Sequence, residues 1–122
     1  MSNAMSNEIV FYHNPRCSKS REALALLEAR GVHPRIIRYL DSPPTVDELR
    51  SLLKQLGLSP RELIRTREEA YKILNLKDPG LDDAILLKAM HEHPILIERP
   101  IAQGNGRAAL GRPPENILNV LE

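Results

Sequence analysis

The chain holds a single cysteine, Cys17, among its 122 residues. A lone cysteine cannot close an internal disulfide, so folding does not depend on an oxidising compartment and a cytoplasmic setting is the expectation. No apolar run approaches the roughly 18 residues of a membrane span, and the N-terminus lacks the charged and apolar regions of a secretory signal. Nor is there an excess of one charge: 17 basic and 16 acidic residues leave a formal net charge of +1. That balance gives no global field for nucleic acid or for a membrane surface, so neither is expected as a partner and any anion site must be built locally. Internal repeats and low-complexity segments are also missing.

What is present suits one compact domain, which at this length can bury roughly two thirds of its unfolded surface. Met1-Ser2-Asn3-Ala4 precedes a second methionine, Met5, and reads as an expression remnant ahead of the natural start. Residues 5–122 are then the expected domain.

Residues 9–12, Ile-Val-Phe-Tyr, are β-branched and aromatic, and after the turn signal Asn14-Pro15 the pattern changes to a helical period through Ala23, Leu24 and Leu27. Gly31 stops that helix, and residues 34–40 form a second strand candidate. This order is a βαβ unit with Cys17 at the strand-to-helix loop, on the carboxyl edge of the sheet where ligands usually bind. Thr45-Val46-Asp47-Glu48 is a capping box followed by Leu49, Leu52, Leu53 and Leu56 at helical spacing. Ser59-Pro60-Arg61-Glu62 repeats the start signal for a short helix through Arg65, and further helices are expected over 68–74 and 81–93, the last with Ile85, Ala89 and Met90 on one face. Pro94–Ile97 reads as a strand ending at Arg99-Pro100. Gly104-Asn105-Gly106 signals a hairpin to a partner strand at 107–110, and Pro113-Pro114-Glu115 starts a final helix with Ile117, Leu118 and Leu121.

The chemistry gathers at residues 11–21, Phe-Tyr-His-Asn-Pro-Arg-Cys-Ser-Lys-Ser-Arg. A thiol reacts as its thiolate, a form favoured at a helix N-terminus and beside cations, and Cys17 has both kinds of neighbour in the helix that follows it and in Arg16, Lys19 and Arg21. The competing reading is a small buried cysteine. His13, four residues upstream, either bonds the backbone of the turn or tunes the thiolate. Position 20 is serine where a dithiol redox motif would carry a second cysteine, so any adduct on Cys17 must be cleared by an outside thiol, by hydrolysis or by a second protein. A phosphatase loop would want arginine at position 23, which is Ala23. The four histidines give no metal signal: His91 and His93 stand two apart near a helix end, where they are expected to cap carbonyls.

In combination, the His-Asn-Pro-x-Cys loop of residues 13–17, the Pro-Pro-Thr helix start at 43–45, and the Arg-Pro pairs at 99–100 and 112–113 resemble the ArsC-like arsenate reductases that use glutathione and glutaredoxin. That family shares a thioredoxin-like fold with the Spx regulators, and the resemblance runs from about Ile9 to the C-terminus. It implies an α/β thioredoxin-like fold with a central mixed four-stranded sheet flanked by helices, and a helical insert of about residues 45–93 between the second and third strands. By position it makes Cys17 the nucleophile, His13 the residue that helps keep it ionised, and Arg65, Arg99 and Arg112 the arginines that bind a tetrahedral oxyanion. Asn14 and Ser20 would support the loop, and Pro100 would be the cis-proline of thioredoxin-like folds. Several fixed guanidinium forks can satisfy such an anion and disperse its charge in the transition state.

The reaction so implied is reduction of arsenate to arsenite through a Cys17 adduct that glutathione attacks and glutaredoxin clears, with no metal and no tightly bound organic cofactor. Two other activities share the fold: an Spx-like regulator that touches RNA polymerase, usually with a second cysteine at the position of Ser20, and a thiol oxidoreductase acting on glutathionylated substrates.

Overall fold

β-branched and aromatic side chains extend the chain over Val10–His13, the strand β1, and Asn14-Pro15 turns it into helix α1, Ser18–Ala29. The computed structural model describes residues 8–122, so Met1–Ala4, read above as an expression remnant, lies outside the described residues. The chain divides into two compact units, one containing the residues up to Ser42 and from Arg99 to Glu122, the other Pro43–Glu98.

The first unit carries the sheet. Its strands are β1, β2 (Arg35–Arg38), β3 (Ile101–Gly104) and β4 (Arg107–Leu110), in the order β2-β1-β3-β4. β1 runs parallel to β2 and antiparallel to β3, and β3 is antiparallel to β4, which makes the sheet mixed. The two-residue turn Asn105-Gly106 joins β3 to β4 with φ of 56° and 75°, the left-handed pair that a tight hairpin requires. Register sets Phe11 opposite Ala102 and Ala102 opposite Ala109, a large-small-small row on one face. That row packs with Ala23 and Leu27 of α1 and with Ile117 and Val120 of the C-terminal segment. Phe11 and Leu27 are fully buried, each worth roughly 1.5–3 kcal/mol of hydrophobic stabilisation.

The C-terminal segment differs from expectation. Pro114–Leu121 is a 3₁₀-helix, and its buried residues Pro114, Ile117 and Val120 recur every third position, the period of that helix. Leu118 and Leu121 are only partly buried against the same core.

The second unit is helical: α2 (Val46–Leu56), α3 (Pro60–Leu63), α4 (Glu69–Ile73) and α5 (Asp83–Glu92). Both predicted capping boxes are formed, Thr45 with Glu48 and Ser59 with Glu62, and α2 ends on Gly57 at φ 71°. Asp82 caps α5 by accepting the Ile85 N–H at 3.0 Å. α2 and α3 pack on α5, whose buried residues are Leu86, Leu87, Ala89 and Met90; Ile85, expected on that face, stands in the first turn beside the cap and is exposed.

Two further expectations fail here for one reason. Ile64 is extended and bridges Ile97, with the Arg65 N–H on the Leu96 carbonyl at 2.7 Å and the Glu98 N–H on the Leu63 carbonyl at 3.0 Å. That bridge stops α3 at Leu63, two residues short of the predicted end. It also leaves Pro94–Leu96 as a 3₁₀ turn in place of a strand, because Pro94 has no N–H to give a ladder. The third strand of the sheet is Ile101–Gly104, after Arg99-Pro100 rather than before it.

Candidate active site

The loop between β1 and α1 is held by its own polar groups. Asn14 accepts the Arg16 N–H on Oδ1 and the Cys17 N–H on its carbonyl, both at 3.0 Å. Arg21 reaches back one turn, Nη1 donating to the Pro15 carbonyl at 2.8 Å. Cys17 is the N-cap of α1, extended at φ −94° and ψ 123°, and no side chain caps the helix. The first-turn N–H groups therefore have no intrahelical acceptor, and a half-buried free thiol lies at the end where they concentrate positive potential.

Behind the loop, His13 and Ser20 are buried and joined, Nδ1 to Oγ at 2.6 Å. The Asn14 N–H donates to the same Oγ at 3.1 Å. The hydroxyl has two lone pairs and one proton, so with Asn14 on one lone pair it bonds Nδ1 in either imidazole tautomer. Burial first, then the guanidiniums of Arg38 and Arg21, hold the His13 imidazole below its ordinary value. His13 is thus neutral at neutral pH and contributes hydrogen bonding and orientation, not a fixed positive charge. Ser20, the place of an absent cysteine and expected to support the loop, is the hydroxyl that joins the His13 ring to the Asn14 N–H.

Arg99 and Arg112 come together. Arg112 Nε donates to the Arg99 carbonyl at 2.9 Å, and each arginine precedes a cis-proline, Pro100 and Pro113. The first cis bond matches expectation; the second had no signal in the sequence. Arg112 is exposed, whereas Arg99 is half-buried, with its Nε and Nη1 atoms covered. Gly111 fixes the ground between them: a Cβ there would sit 2.8 Å from Pro100 Cγ and 3.5 Å from Ala23 Cβ. The Gly111 N–H also bonds the Pro100 carbonyl at 2.9 Å.

Arg65 belongs to the helical unit. Its guanidinium is paired with Glu68 at 3.3 Å and Glu98 at 3.8 Å, with 22% of its side chain exposed. Two carboxylates thus share its charge before any ligand arrives. His91 Nδ1 lies 2.9 Å from the Pro44 carbonyl, ahead of α2 rather than at its own helix end, and His93 closes α5 through its backbone.

Sequence reasoning missed one feature of the sheet edge. Because β1 and β2 are parallel, their carboxyl ends open on the same side, and a cleft of about 250 Å³ lies there between residues 13–16 and Arg38, Leu40 and Asp41. The rule that ligands gather at such ends was available, but nothing marked Arg38 or Asp41 individually. Among the described residues, no group of three or more His, Cys, Asp or Glu side chains gathers as a metal site, and no helix is long and apolar enough to cross a membrane.

A β-α-β unit extended by an antiparallel hairpin, with a cysteine at the N-terminus of the first helix and a cis-proline opening the third strand, defines a thioredoxin-like thiol protein with one cysteine. The ArsC family model matches residues 12–120, and the chain belongs to the ArsC family. It is 52% identical over 115 residues to an arsenate reductase of Neisseria meningitidis, covering 93% of this chain and 98% of that one. It is 50% identical over 118 residues to the uncharacterized protein YfgD of Escherichia coli K12, covering 96% and 99%. An arsenate reductase structure from Vibrio cholerae superposes with a TM-score of 0.91 at 54% identity, over 94% of this chain and 98% of that one.

Proposed function

We propose that this chain reduces arsenate to arsenite, with the Cys17 thiolate as nucleophile and outside thiols as the reductants. The observation that carries this reading is the single cysteine at the N-terminus of α1, with Ser20 of the first helical turn, where a dithiol motif would carry a second cysteine, committed to His13. The names of relatives at about half identity support arsenate as the oxyanion.

The balance is two-electron. One arsenate and two thiols give one arsenite, one disulfide and one water. Cys17 supplies the first sulfur: it attacks arsenic, an oxygen leaves as water after protonation, and a sulfur–arsenic bond forms. No second cysteine exists in the chain, so the second sulfur comes from outside. Glutathione adds to the arsenic with loss of a second water. A glutaredoxin thiol then takes the glutathione sulfur as a disulfide, and the electron pair of that sulfur–arsenic bond reduces the arsenic. One water cleaves the remaining bond to release arsenite and the Cys17 thiol, so the two thiols consumed are those of glutathione and glutaredoxin. Arg99 and Arg112, joined by their 2.9 Å contact, disperse the oxyanion charge. The reducing partners and a cytoplasmic, glutathione-rich setting are part of the same proposal.

The test is arsenate-dependent NADPH consumption with glutathione, glutaredoxin and glutathione reductase, for the native chain and Cys17→Ser. Turnover is expected in the first and none in the second. Absence of turnover in the native chain would overturn the reading.

A further inference from the structure

The cleft at the carboxyl ends of β1 and β2 is not used by the oxyanion chemistry above, although it adjoins the nucleophile: Arg16, which lines it, directly precedes Cys17, and Asn14, which also lines it, accepts the Cys17 N–H. Its charged groups are Arg16, Arg38 and Asp41, two cations and one anion, while His13 at its side is neutral. Arg38 and Asp41 are placed by backbone bonds, since the N–H groups of Asp41 and Ser42 both donate to the Arg38 carbonyl at 2.9 Å. Their side chains form an exposed ion pair at 3.8 Å, longer than a hydrogen bond and weak in water, so a ligand carrying both charges can displace each partner in favour of its own group.

A guanidinium and a carboxylate side by side are complementary to a group carrying a carboxylate and an ammonium on one carbon. The volume, about 250 Å³, falls below the roughly 300–1,000 Å³ that drug-sized ligands occupy, so the cleft takes one end of a molecule and leaves the rest outside. We propose that it is the docking site for the outside thiol, and that it holds the free α-amino acid end of a γ-glutamyl thiol, the carboxylate on Arg38 and the ammonium on Asp41. Arg16 leaves a net positive charge for the second carboxylate of such a peptide. This rests on the reading that an external thiol resolves the Cys17 adduct, and it adds where that thiol binds and which part of it is recognised.

The probe is S-methylglutathione, which has no free thiol and cannot react at Cys17. Backbone amide shifts in a titration should centre on Arg16 and residues 38–41, and Asp41→Asn should weaken binding by about fivefold. S-methylcysteinylglycine, which lacks the γ-glutamyl head, should bind more weakly and not respond to Asp41→Asn. In turnover, Asp41→Asn should raise KM for glutathione and leave kcat unchanged. Shifts centred elsewhere, no saturable binding, or equal affinity of native chain and Asp41→Asn would overturn the proposal. The two readings separate cleanly. Asp41-dependent binding without arsenate turnover sinks the reductase and keeps the cleft, whereas glutathione-driven turnover with Asp41-independent binding does the reverse.

Discussion

The two units use their polar side chains in opposite ways. In the helical unit they sit at the surface and end helices: Thr45 with Glu48, Ser59 with Glu62, and Asp82 on the Ile85 N–H. In the sheet unit, His13 and Ser20 are driven inside and bonded to each other, next to the half-buried Cys17. A surface cap contributes about 1 kcal/mol and tolerates replacement by water. A buried polar pair has no such fallback, because losing one partner leaves the other desolvated and unmet. The helix starts of the helical unit are thus set by independent local bonds, while the sheet unit concentrates a shared cost around one thiol.

Four measurements would break or sharpen that contrast. The largest effect is expected from Cys17→Ser, which should lower arsenate turnover by about 10³-fold or more while leaving the denaturation midpoint close to that of the native chain, since the residue is only half-buried. A large loss of stability would make Cys17 a packing residue. Ser20→Ala comes next: it strips the partner of both His13 Nδ1 and the Asn14 N–H and should cost about 2 kcal/mol in chemical denaturation. A value within error of zero would show that the buried pair is not structural. Thr45→Ala removes one cap and should cost about 1 kcal/mol, with KM and kcat unaltered. An effect on catalysis would erase the distinction between the units.

The smallest effect is a pH slope. Burial and the nearby arginines lower the His13 pKa in the folded protein, so the unfolded chain takes up that proton more readily. Stability is then present above the unfolded value of about 6.5 and is lost as pH falls below it toward the folded value. Melting temperatures at pH 7.5 and 5.5 should differ more for the native chain than for His13→Gln. Equal drops would assign the slope to other groups.

The same contrast explains what could be read from the chain. Caps are written within four consecutive residues, so α2 and α3 began where Thr45 and Ser59 announced them. The hairpin at Asn105-Gly106 was equally local. What failed depended on distant partners: Ile97 reads as the end of a strand until Ile64 is known to lie opposite it. Likewise, no periodicity links His13 to Ser20, seven residues apart across a strand end and a helix start. In the site, the position of Cys17 followed from strand, turn and helix in order. The pairing of Arg99 with Arg112 did not, because it is made by a hairpin that brings two Arg-Pro sequences side by side.

Strand β2 carries a final consequence. It is four residues long, lies at one margin of the sheet, and reads Arg35-Ile36-Ile37-Arg38, with Ile36 at 41% exposure and Arg35 tethered to Glu8 at 3.5 Å. A half-naked isoleucine on an open strand invites another chain to pair with it, and brevity with a cation at each end is how natural sheets discourage this. The two arginines thereby act as gatekeepers of solubility, and Arg38 guards the sheet margin against self-association from a position where it also borders the cleft beside the thiol.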